Sequence, residues 1–149
     1  MVLLHLCAAI RDRYPHLSFH AVHVHHGLHP DADAWGSHCE NASLALHIPL
    51  VIEHVNALPE AGESPEEAAR NARYEAFSKH IHPGDLLLLA HHQDDQAETV
   101  LLQLLRGAGL EGISGMPSCT SYHEGFLLRP LLNVSSKEIA AWASDSRIQ

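Results

Sequence analysis

Apolar and polar positions along the chain follow two spacings: short apolar runs or alternation in some segments, and three- and four-residue intervals in others. The first spacing predicts β-strands, and the second predicts helices with one apolar face. The predicted strands cover residues 19–25, 49–55, 85–90 and 126–128. The predicted helices cover residues 1–13, 33–47 and 65–80, followed by one that ends at Gly107 and one that begins after Ser135. This alternation predicts an α/β fold, with an open, mostly parallel sheet, flanking helices and right-handed crossovers.

Capping residues support two of the helix starts. Ser64 stands before Pro65, and Glu67 follows three residues after the serine, an order that is typical of a helix N-terminus. Ser135 and Glu138 have the same spacing before the last predicted helix. No internal repeat, low-complexity tract or domain boundary interrupts the alternation.

Two apolar segments are predicted to lie in the core. The run at residues 85–90 is almost continuously apolar, which is typical of a strand buried on both faces of a parallel sheet. The helix after it has one apolar stripe, made of Ala97, Val100, Leu101, Leu104 and Leu105. Such a stripe is expected to pack against the sheet.

The turn between these two segments, residues 90–95 with the sequence AHHQDD, concentrates titratable side chains. In open α/β sheets, ligands bind outside the carboxyl ends of the strands, and this turn lies at such an end. Asp95 and Glu98, three residues apart, also suit a helix cap, which would explain one or two of the acids without a ligand. The neighbouring Asp94 adds like charge unless a cation or a proton is shared. We therefore favour a Mg²⁺ ion that carries nucleotide phosphates.

A second cluster follows the first predicted strand. His23 and His25 lie on the same face of that strand, and His26 and His29 lie in the loop after it, again at a carboxyl end. The chain has 15 histidines, so several of these are equally well explained as exposed polar residues of a histidine-rich protein. The residues alone leave both explanations open.

The predicted helix from Pro65 carries two arginines and a tyrosine beside a stripe of small residues. Arg70, Arg73 and Tyr74 are spaced so that they could hold a phosphate or a base. The alternative is an ordinary helix with surface arginines. The apparent GxGxxG motif at residues 107–112 is rejected, because it follows a helix, whereas a dinucleotide-binding motif must follow a strand.

Charge and cysteine content narrow the functional classes. The net charge is -9, so the overall field repels phosphate, and nucleic-acid binding must come from local arginines or from segments outside this sequence. Cys7, Cys39 and Cys119 are widely spaced without a CxxC pair, which favours a reducing cytosol over disulfides or a thiolate zinc site. No apolar run approaches membrane-spanning length, and residues 1–10 have no basic segment before them, which favours a helix over a signal peptide.

Four ordered motifs resemble one family. HVHHGLHPDADAW, EEAARNARYEAF, LLLLAHHQDDQAETVLLQLLRGAGLEGISGMP and LLRPLL occur in this order and cover nearly the whole chain. They resemble the tRNA(Ile)-lysidine synthetases, a branch of the pyrophosphate-loop ATPases. The resemblance implies a Rossmann-like fold of the adenine-nucleotide alpha-hydrolase type and a cytoplasmic ligase that uses ATP and Mg²⁺. Such an enzyme adenylates the first anticodon cytidine of tRNA(Ile) with a CAU anticodon, and the ε-amine of L-lysine then displaces AMP to form lysidine. A homodimer is compatible with this resemblance.

The resemblance also implies roles for individual residues. His92, Asp94 and Asp95 match the acidic ATP-site motif and are expected to be catalytic. The two aspartates would hold Mg²⁺, Asp95 would help to deprotonate the lysine ammonium, and His92 would stabilise charge on the phosphate or the cytosine. The residues expected to contact the substrate or ATP are His25, His26, Arg70, Arg73, Tyr74 and Arg129. Among them, Arg129 matches a family arginine near the cytidine or the lysine.

Other classes explain less of the sequence. A tRNA thiolase of the same superfamily would need a cysteine pair or an iron-sulfur site, which the scattered cysteines do not supply. A metallohydrolase could use histidines and Asp95 as zinc or manganese ligands; that ligand set would be His23, His25, His91, His92 and Asp95. A truncated, noncatalytic remnant of a lysidine synthetase is compatible with the resemblance.

The chain departs from the family pattern at its start. The family begins with an apolar strand and an SGGxDS loop whose backbone amides cradle the ATP pyrophosphate. Residues 1–6 resemble the helix that follows this loop, so the first strand is expected to be missing, which would leave two strand edges unpaired. The chain also ends before later family segments. Residues 1–149 are therefore expected to form an incomplete N-terminal ATP-pyrophosphatase catalytic domain.

A first prediction follows from this departure. The chain by itself is expected to be only marginally stable, to bind Mg-ATP weakly and not to catalyse alone, because the backbone amides of the family's pyrophosphate loop do not occur in it. Isothermal calorimetry with Mg-ATP measures the affinity directly. Tight binding by the 149-residue chain would contradict the prediction.

Overall fold

The computed structural model describes residues 1–107, 109 and 113–148. The helices are α1 (Val2–Arg13), α2 (Ala32–Ala45), α3 (Pro65–Ser78), α4 (Gln93–Leu105) and α5 (Ser136–Asp145). The strands are β1 (Ala21–His25), β2 (Leu50–His54), β3 (Leu86–Leu88), β4 (Cys119–Tyr122) and β5 (Gly125–Leu128). None of the helices in the described ranges is long and apolar enough to cross a membrane. The chain divides into two compact units, the first made of Met1 and Leu3–His80 and the second of Val2 and the residues from Ile81 onward.

In the first unit, β1 and β2 form a parallel pair. Their register runs from Ala21 opposite Leu50 to His25 opposite His54. α2, which connects them along the chain, contacts both strands. It turns small residues inward, and a Cβ atom on its buried Gly36 would lie 3.8 Å from Cδ1 of Ile52. Small residues on this face therefore allow the helix to lie close to the sheet.

In the second unit, the strands have the order β3-β5-β4. The central strand β5 runs parallel to β3 and antiparallel to β4. Leu127 in β5 is only 2% exposed, so the middle of this sheet is part of the core. At the start of β5, a Cβ atom on Gly125 would overlap the carbonyl oxygen of Asp85. This position therefore requires glycine for the backbones to approach.

The helix boundaries agree with the capping residues. The hydroxyl of Ser64 accepts a hydrogen bond of 3.2 Å from the backbone N–H of Glu67, and Ser135 with Glu138 forms a reciprocal capping box. α4 ends at Leu105, and Gly107 has a φ of +75°, the left-handed conformation that ends many helices. Of the rejected glycine motif, residues 108 and 110–112 lie outside the described residues.

The predicted α/β class and the parallel pairing of strands are confirmed. The described strands form two sheets, one of two parallel strands and one of three strands. β4 was not predicted, because its sequence, CTSY, lacks apolar alternation and its place comes from pairing with β5. Local patterns show where a strand forms, but the pairing of strand edges depends on the rest of the chain.

The predicted burial of two apolar segments is wrong within the described structure. β3 is shorter than the run at 85–90, and its Leu86 is 56% exposed. In the stripe of α4, Leu101 and Leu104 are exposed and Leu105 is 83% exposed. Periodicity identifies the apolar face of an element, but it does not show whether another element covers that face.

A second prediction concerns the start of α3. Replacing Ser64 with Ala is expected to lower the free energy of unfolding by about 1 kcal/mol, because the N–H of Glu67 loses its acceptor. The matched control is Ser37→Ala, at an exposed serine inside α2, where alanine is the better helix former. Urea unfolding followed by circular dichroism measures both variants. An equal loss in the control would argue against the capping role.

Candidate functional site

The turn between β3 and α4 is held by hydrogen bonds between His92 and the acids that follow it. His92 is the N-cap of α4 in an extended conformation, and its backbone N–H donates to Oδ2 of Asp95 at 2.8 Å. In return, Nδ1 of His92 accepts a bond of 3.3 Å from the backbone N–H of Asp94. The sequence places the capping pair at Asp95 and Glu98, whereas the structure forms it between His92 and Asp95. The cap therefore accounts for one acid of the turn and orients its carboxylate.

Asp94 accepts a hydrogen bond from a different donor. The hydroxyl of Ser136, at the start of α5, donates a hydrogen bond to Oδ2 of Asp94. This bond lowers the pKa of Asp94 below its ordinary value, and the charge of Lys137 acts in the same direction. The adjacent carboxylates of Asp94 and Asp95 thus have separate donors, and the like-charge conflict expected from the sequence is met without a shared proton.

The starts of α4 and α5 are also joined through the backbone. The N–H of Gln93 donates to the carbonyl of Val134 at 3.0 Å, one residue before the N-cap Ser135. Two helix N-termini therefore lie together in the second unit. The backbone N–H groups of helix N-termini carry partial positive charge, which favours anionic groups at this place.

Arg129 follows β5 and is buried, with 7% of its surface exposed. Its Nη1 donates to the carbonyl of Pro117 at 2.9 Å, and its backbone N–H donates to the carbonyl of Ser118 at 2.8 Å. Among the described residues, no carboxylate pairs with the guanidinium, and the buried Nε has no hydrogen-bond partner. A buried guanidinium without a counter-charge is costly, so this environment suits an anionic ligand.

The histidine cluster of the first unit lies along β1 and β2. The imidazole of His25 forms a 2.8 Å contact between its Nε2 and Oδ1 of Asp33, and its ring packs against that of His54 at 4.6 Å. His23 contacts Sγ of Cys39 through Nδ1 at 3.6 Å. Nδ1 of His26 accepts from the N–H of Leu28 within its own turn. Packing and local hydrogen bonds therefore explain much of this cluster, in which His23, His25 and His26 are partly buried and His29 is exposed.

The arginines of α3 lie at the surface of the same unit. The guanidinium of Arg70 lies 5.7 Å from the ring centroid of Tyr74, a cation-π contact, and the tyrosine ring meets Phe77 edge-on. Arg70 and Arg73 are exposed, while Phe77 is buried. The helix thus uses Phe77 for packing and presents both arginines to solvent.

The predicted site residues fall into two groups. His92, Asp94, Asp95 and Arg129 belong to the second unit, whereas His25, His26, Arg70, Arg73 and Tyr74 belong to the first. Within the described part of the chain, no group of three or more His, Cys, Asp or Glu side chains is arranged to hold a metal ion. The five-residue zinc or manganese set of the metallohydrolase alternative is divided between the two units and has no support from this geometry. Two neighbouring carboxylates do suit Mg²⁺, which usually keeps several waters and phosphate oxygens as ligands.

Comparison with known proteins identifies the family. A family model described as a PP-loop domain matches residues 1–149. The chain belongs to the PP-loop domain family. It is 47% identical to the tRNA(Ile)-lysidine synthase of Xanthomonas axonopodis pv. citri, over 99% of this chain and 33% of that protein. It is 48% identical to the proteins of the same name from Pseudomonas fluorescens and Pseudomonas aeruginosa, over 97% and 99% of this chain and 32% and 33% of those proteins. The chain thus spans about a third of the length of these relatives.

Two residues that form hydrogen bonds at or beside the acidic turn of this PP-loop domain were not predicted from the sequence. Ser136 is recognisable only as part of a helix start, although its hydroxyl contacts a carboxylate 42 residues away. Gln96 carries no charge and belongs to no capping pattern, although its side-chain amide makes two hydrogen bonds to Met116. Local spacing does not indicate either contact, because both join distant segments.

A third prediction tests the hydroxyl that contacts Asp94. Replacing Ser136 with Ala is expected to raise the pKa of Asp94 toward its ordinary value of 3.8, because the hydroxyl stabilises the ionised carboxylate. NMR titration of the aspartate side-chain carboxyl carbons measures this change. Ser146→Ala, at an exposed serine after the end of α5, is the matched control and should leave the titration of Asp94 unchanged. An unchanged titration in Ser136→Ala would remove the assigned role.

A fourth prediction concerns acid sensitivity in the first unit. Burial lowers the pKa of His23 below its ordinary 6.5, and the charges of His25, His26 and His54 lower it further. The unfolded chain therefore binds this proton more readily than the folded one, and stability should fall as the pH drops through about 6.5 and below.

Replacing His23 with Gln removes this titration, so the loss of stability on acidification should become smaller. Urea unfolding at pH 7.5 and 5.5 measures the difference. His38→Gln, at an exposed histidine of α2, serves as the control. A pH dependence that is the same in His23→Gln and the unaltered chain would show that other groups cause it.

Proposed function

We propose that this PP-loop domain is part of the catalytic domain of a tRNA(Ile)-lysidine synthase. The reaction would ligate L-lysine to the first anticodon cytidine of tRNA(Ile) with a CAU anticodon, through an adenylated tRNA intermediate. The observation that carries the proposal is the acidic turn at the carboxyl end of β3, with His92, Asp94 and Asp95, in a chain 47–48% identical to proteins of that name. The carboxyl ends of strands are where α/β folds bind their ligands.

Asp94 and Asp95 are the residues proposed to hold Mg²⁺ with ATP. When bound, the ion would neutralise phosphate charge and polarise the reacting phosphate. The lowered pKa of Asp94 supports this role, since a metal ligand must be ionised. ATP use is implied by membership of the PP-loop family.

Asp95 is proposed to accept a proton from the ε-ammonium of lysine before the amine attacks the cytosine. Oδ2 of Asp95 is fixed by the backbone N–H of His92 at 2.8 Å, which orients the carboxylate and leaves Oδ1 as the oxygen for the proton. The side chain is partly exposed, at 37%, so a substrate amine can reach it. A positioned carboxylate in hydrogen-bond reach of the amine is the requirement for a general base.

His92 is proposed to stabilise negative charge that develops on the phosphate or the cytosine. Its Nδ1 accepts a bond from the N–H of Asp94, so a neutral imidazole carries its hydrogen on Nε2. The Nε2–H group is then the donor toward the substrate. A fixed donor costs little reorganisation during the reaction.

The remaining predicted residues are proposed to contact substrate. Arg129, buried without a described counter-charge, would bind an anionic group near the cytidine or the lysine. On α3, Arg70 and Arg73 would bind phosphate, and Tyr74 would contact a base. The imidazoles of His25 and His26, in the last residue of β1 and the residue after it, would contact ATP or the substrate.

The partners and location follow from the proposed reaction. L-lysine and tRNA(Ile) are the substrates, and the cytoplasm is the compartment where tRNA modification would take place. The chain carries a net charge of -9, so its overall field does not attract tRNA, and the contacts must come from local arginines or from segments outside this sequence. A homodimer is proposed as the oligomeric state.

The proposed function can be tested in a chimera. This chain would replace the matching segment of the Pseudomonas aeruginosa relative, to which it is 48% identical. The chimera is expected to form lysidine from ATP, L-lysine and an unmodified tRNA(Ile) transcript. Asp95→Asn in the chimera should lower the rate by about 100-fold or more, because the proton acceptor is lost.

Asp12→Asn, at an exposed aspartate of α1, is the matched control and should retain activity. A folded chimera that forms no lysidine, beside an active parent enzyme, would contradict the function and favour a noncatalytic remnant. Normal lysidine formation by the Asp95→Asn chimera would remove the catalytic assignment of Asp95.

A further inference from the structure

Gln96 lies in the first turn of α4, one residue after Asp95, and its side-chain amide is hydrogen-bonded to a distant backbone segment. Its Nε2 donates to the carbonyl of Met116 at 2.9 Å, and its Oε1 accepts from the N–H of Met116 at 2.6 Å. One amide therefore satisfies both polar backbone groups of Met116, and both bonds are partly buried. Two parallel bonds specify the orientation of the backbone as well as its distance.

Gly115, the residue before Met116, lies against the side chain of Gln96. Gly115 has a φ of +64°, and a Cβ atom there would lie 2.8 Å from the side-chain amide of Gln96. The N–H of Gly115 also donates to Oε1 of Gln103, two turns further along α4, at 3.1 Å. Because glycine adopts this conformation without strain and has no Cβ atom at the contact, the backbone lies directly against the helix.

The two residues after Met116 accept hydrogen bonds from Arg129. Pro117 follows Met116, and its carbonyl accepts the 2.9 Å hydrogen bond from Nη1 of Arg129. The next carbonyl, that of Ser118, accepts the backbone N–H of Arg129 at 2.8 Å. Since proline restricts its own φ to about -65°, only its ψ remains free to turn this carbonyl relative to the peptide bond that follows Met116.

We propose that Gln96 is a positioning residue that fixes the guanidinium of Arg129 through the backbone of Met116 and Pro117. The contact links the helix that begins at the acidic turn to the buried cation proposed to bind an oxyanion. This use of Arg129 rests on the proposed function, whereas the positioning itself does not. Gln96 would contact no substrate and would act only through Arg129.

The positioning is tested first in the chain without ligand. The Nε–H group of Arg129 is buried, so its proton should exchange slowly and be resolved in a ¹⁵N-edited NMR spectrum. Gln96→Met keeps the side-chain length and removes both hydrogen bonds, and it is expected to shift this resonance and speed its exchange. Gln103→Met is the matched control, since it removes a bond from the same helix to the same segment, but at Gly115. It should leave the Arg129 resonance in place.

Gln96→Glu is a second variant for the case in which Gln96→Met does not fold. It keeps an acceptor for the N–H of Met116 but loses the donor to the carbonyl, so the resonance should move in the same direction. Circular dichroism would check the fold of each variant. An Arg129 resonance that is unchanged in a folded Gln96 variant, or that moves equally in Gln103→Met, would overturn the proposal.

A double-mutant cycle extends the test to ligand binding. Inorganic pyrophosphate and L-lysine, titrated separately by NMR, represent a phosphate and a carboxylate. Gln96→Met is expected to weaken binding of the anion that Arg129 recognises by about threefold to tenfold, the range expected for lost hydrogen bonds. In an Arg129→Met background the same change should have no further effect, because a positioning residue acts only through its target.

The outcomes separate the two proposals. If Arg129→Met leaves the affinities for pyrophosphate and L-lysine unchanged, the proposed anion-binding role of Arg129 is contradicted. The NMR resonance of Arg129 would still test the positioning role of Gln96. Arg129→Met weakens anion binding if the proposed function is right. If the loss of affinity caused by Gln96→Met adds to that loss in the double variant, the positioning role of Gln96 is overturned. The proposed function is then left intact.

Discussion

The hydrogen bond from the N–H of His92 to the carboxylate of Asp95 sets the start of α4, and the chemistry of the second unit depends on where that helix starts. The bond stabilises the first helical turn and, at the same time, holds a carboxylate in one orientation. Because the turn follows β3 directly, its side chains lie at the carboxyl end of a parallel strand. A capping contact that many helices use for stability therefore also fixes the orientation of a carboxylate at the end of a strand.

Two neighbouring acids at this turn are tolerated because each has its own donor. Asp95 uses the backbone of His92, and Asp94 uses the hydroxyl of Ser136. The second contact lowers the pKa of Asp94, so its charge is retained without help from a shared proton. A cation bound here would meet carboxylates that are already oriented, which reduces the cost of organising the site.

Arg129 of the second unit is less exposed to solvent than the arginines of α3 in the first unit. Arg129 is buried and is held by two backbone carbonyls, through its side chain and its own N–H, whereas Arg70 and Arg73 of α3 extend into solvent. A buried guanidinium is strongly affected by small changes in its partners, because little water is available to replace them. A contact such as that of Gln96 therefore matters more for Arg129 than a similar contact would for a surface arginine.

Local features of the fold can be predicted from the amino-acid sequence. Capping residues marked the starts of α3 and α5, apolar runs marked β1, β2 and β3, and the order of strand, turn and helix placed His92, Asp94 and Asp95 at a strand end. These features are determined within a few residues of the chain, so their patterns can be recognised there. The four ordered motifs also identified the PP-loop family, which the family model confirms.

The hydrogen-bond partners of these residues become known from the tertiary structure. The partner of Asp94 lies 42 residues away, that of Gln96 lies 20 residues away and that of Arg129 lies 12 residues away. The tertiary structure also decided that the strands form two sheets and that the apolar stripe of α4 remains exposed. The physical reason is that hydrogen bonds and burial between distant segments depend on how the backbone brings them together, and local periodicity does not contain that information.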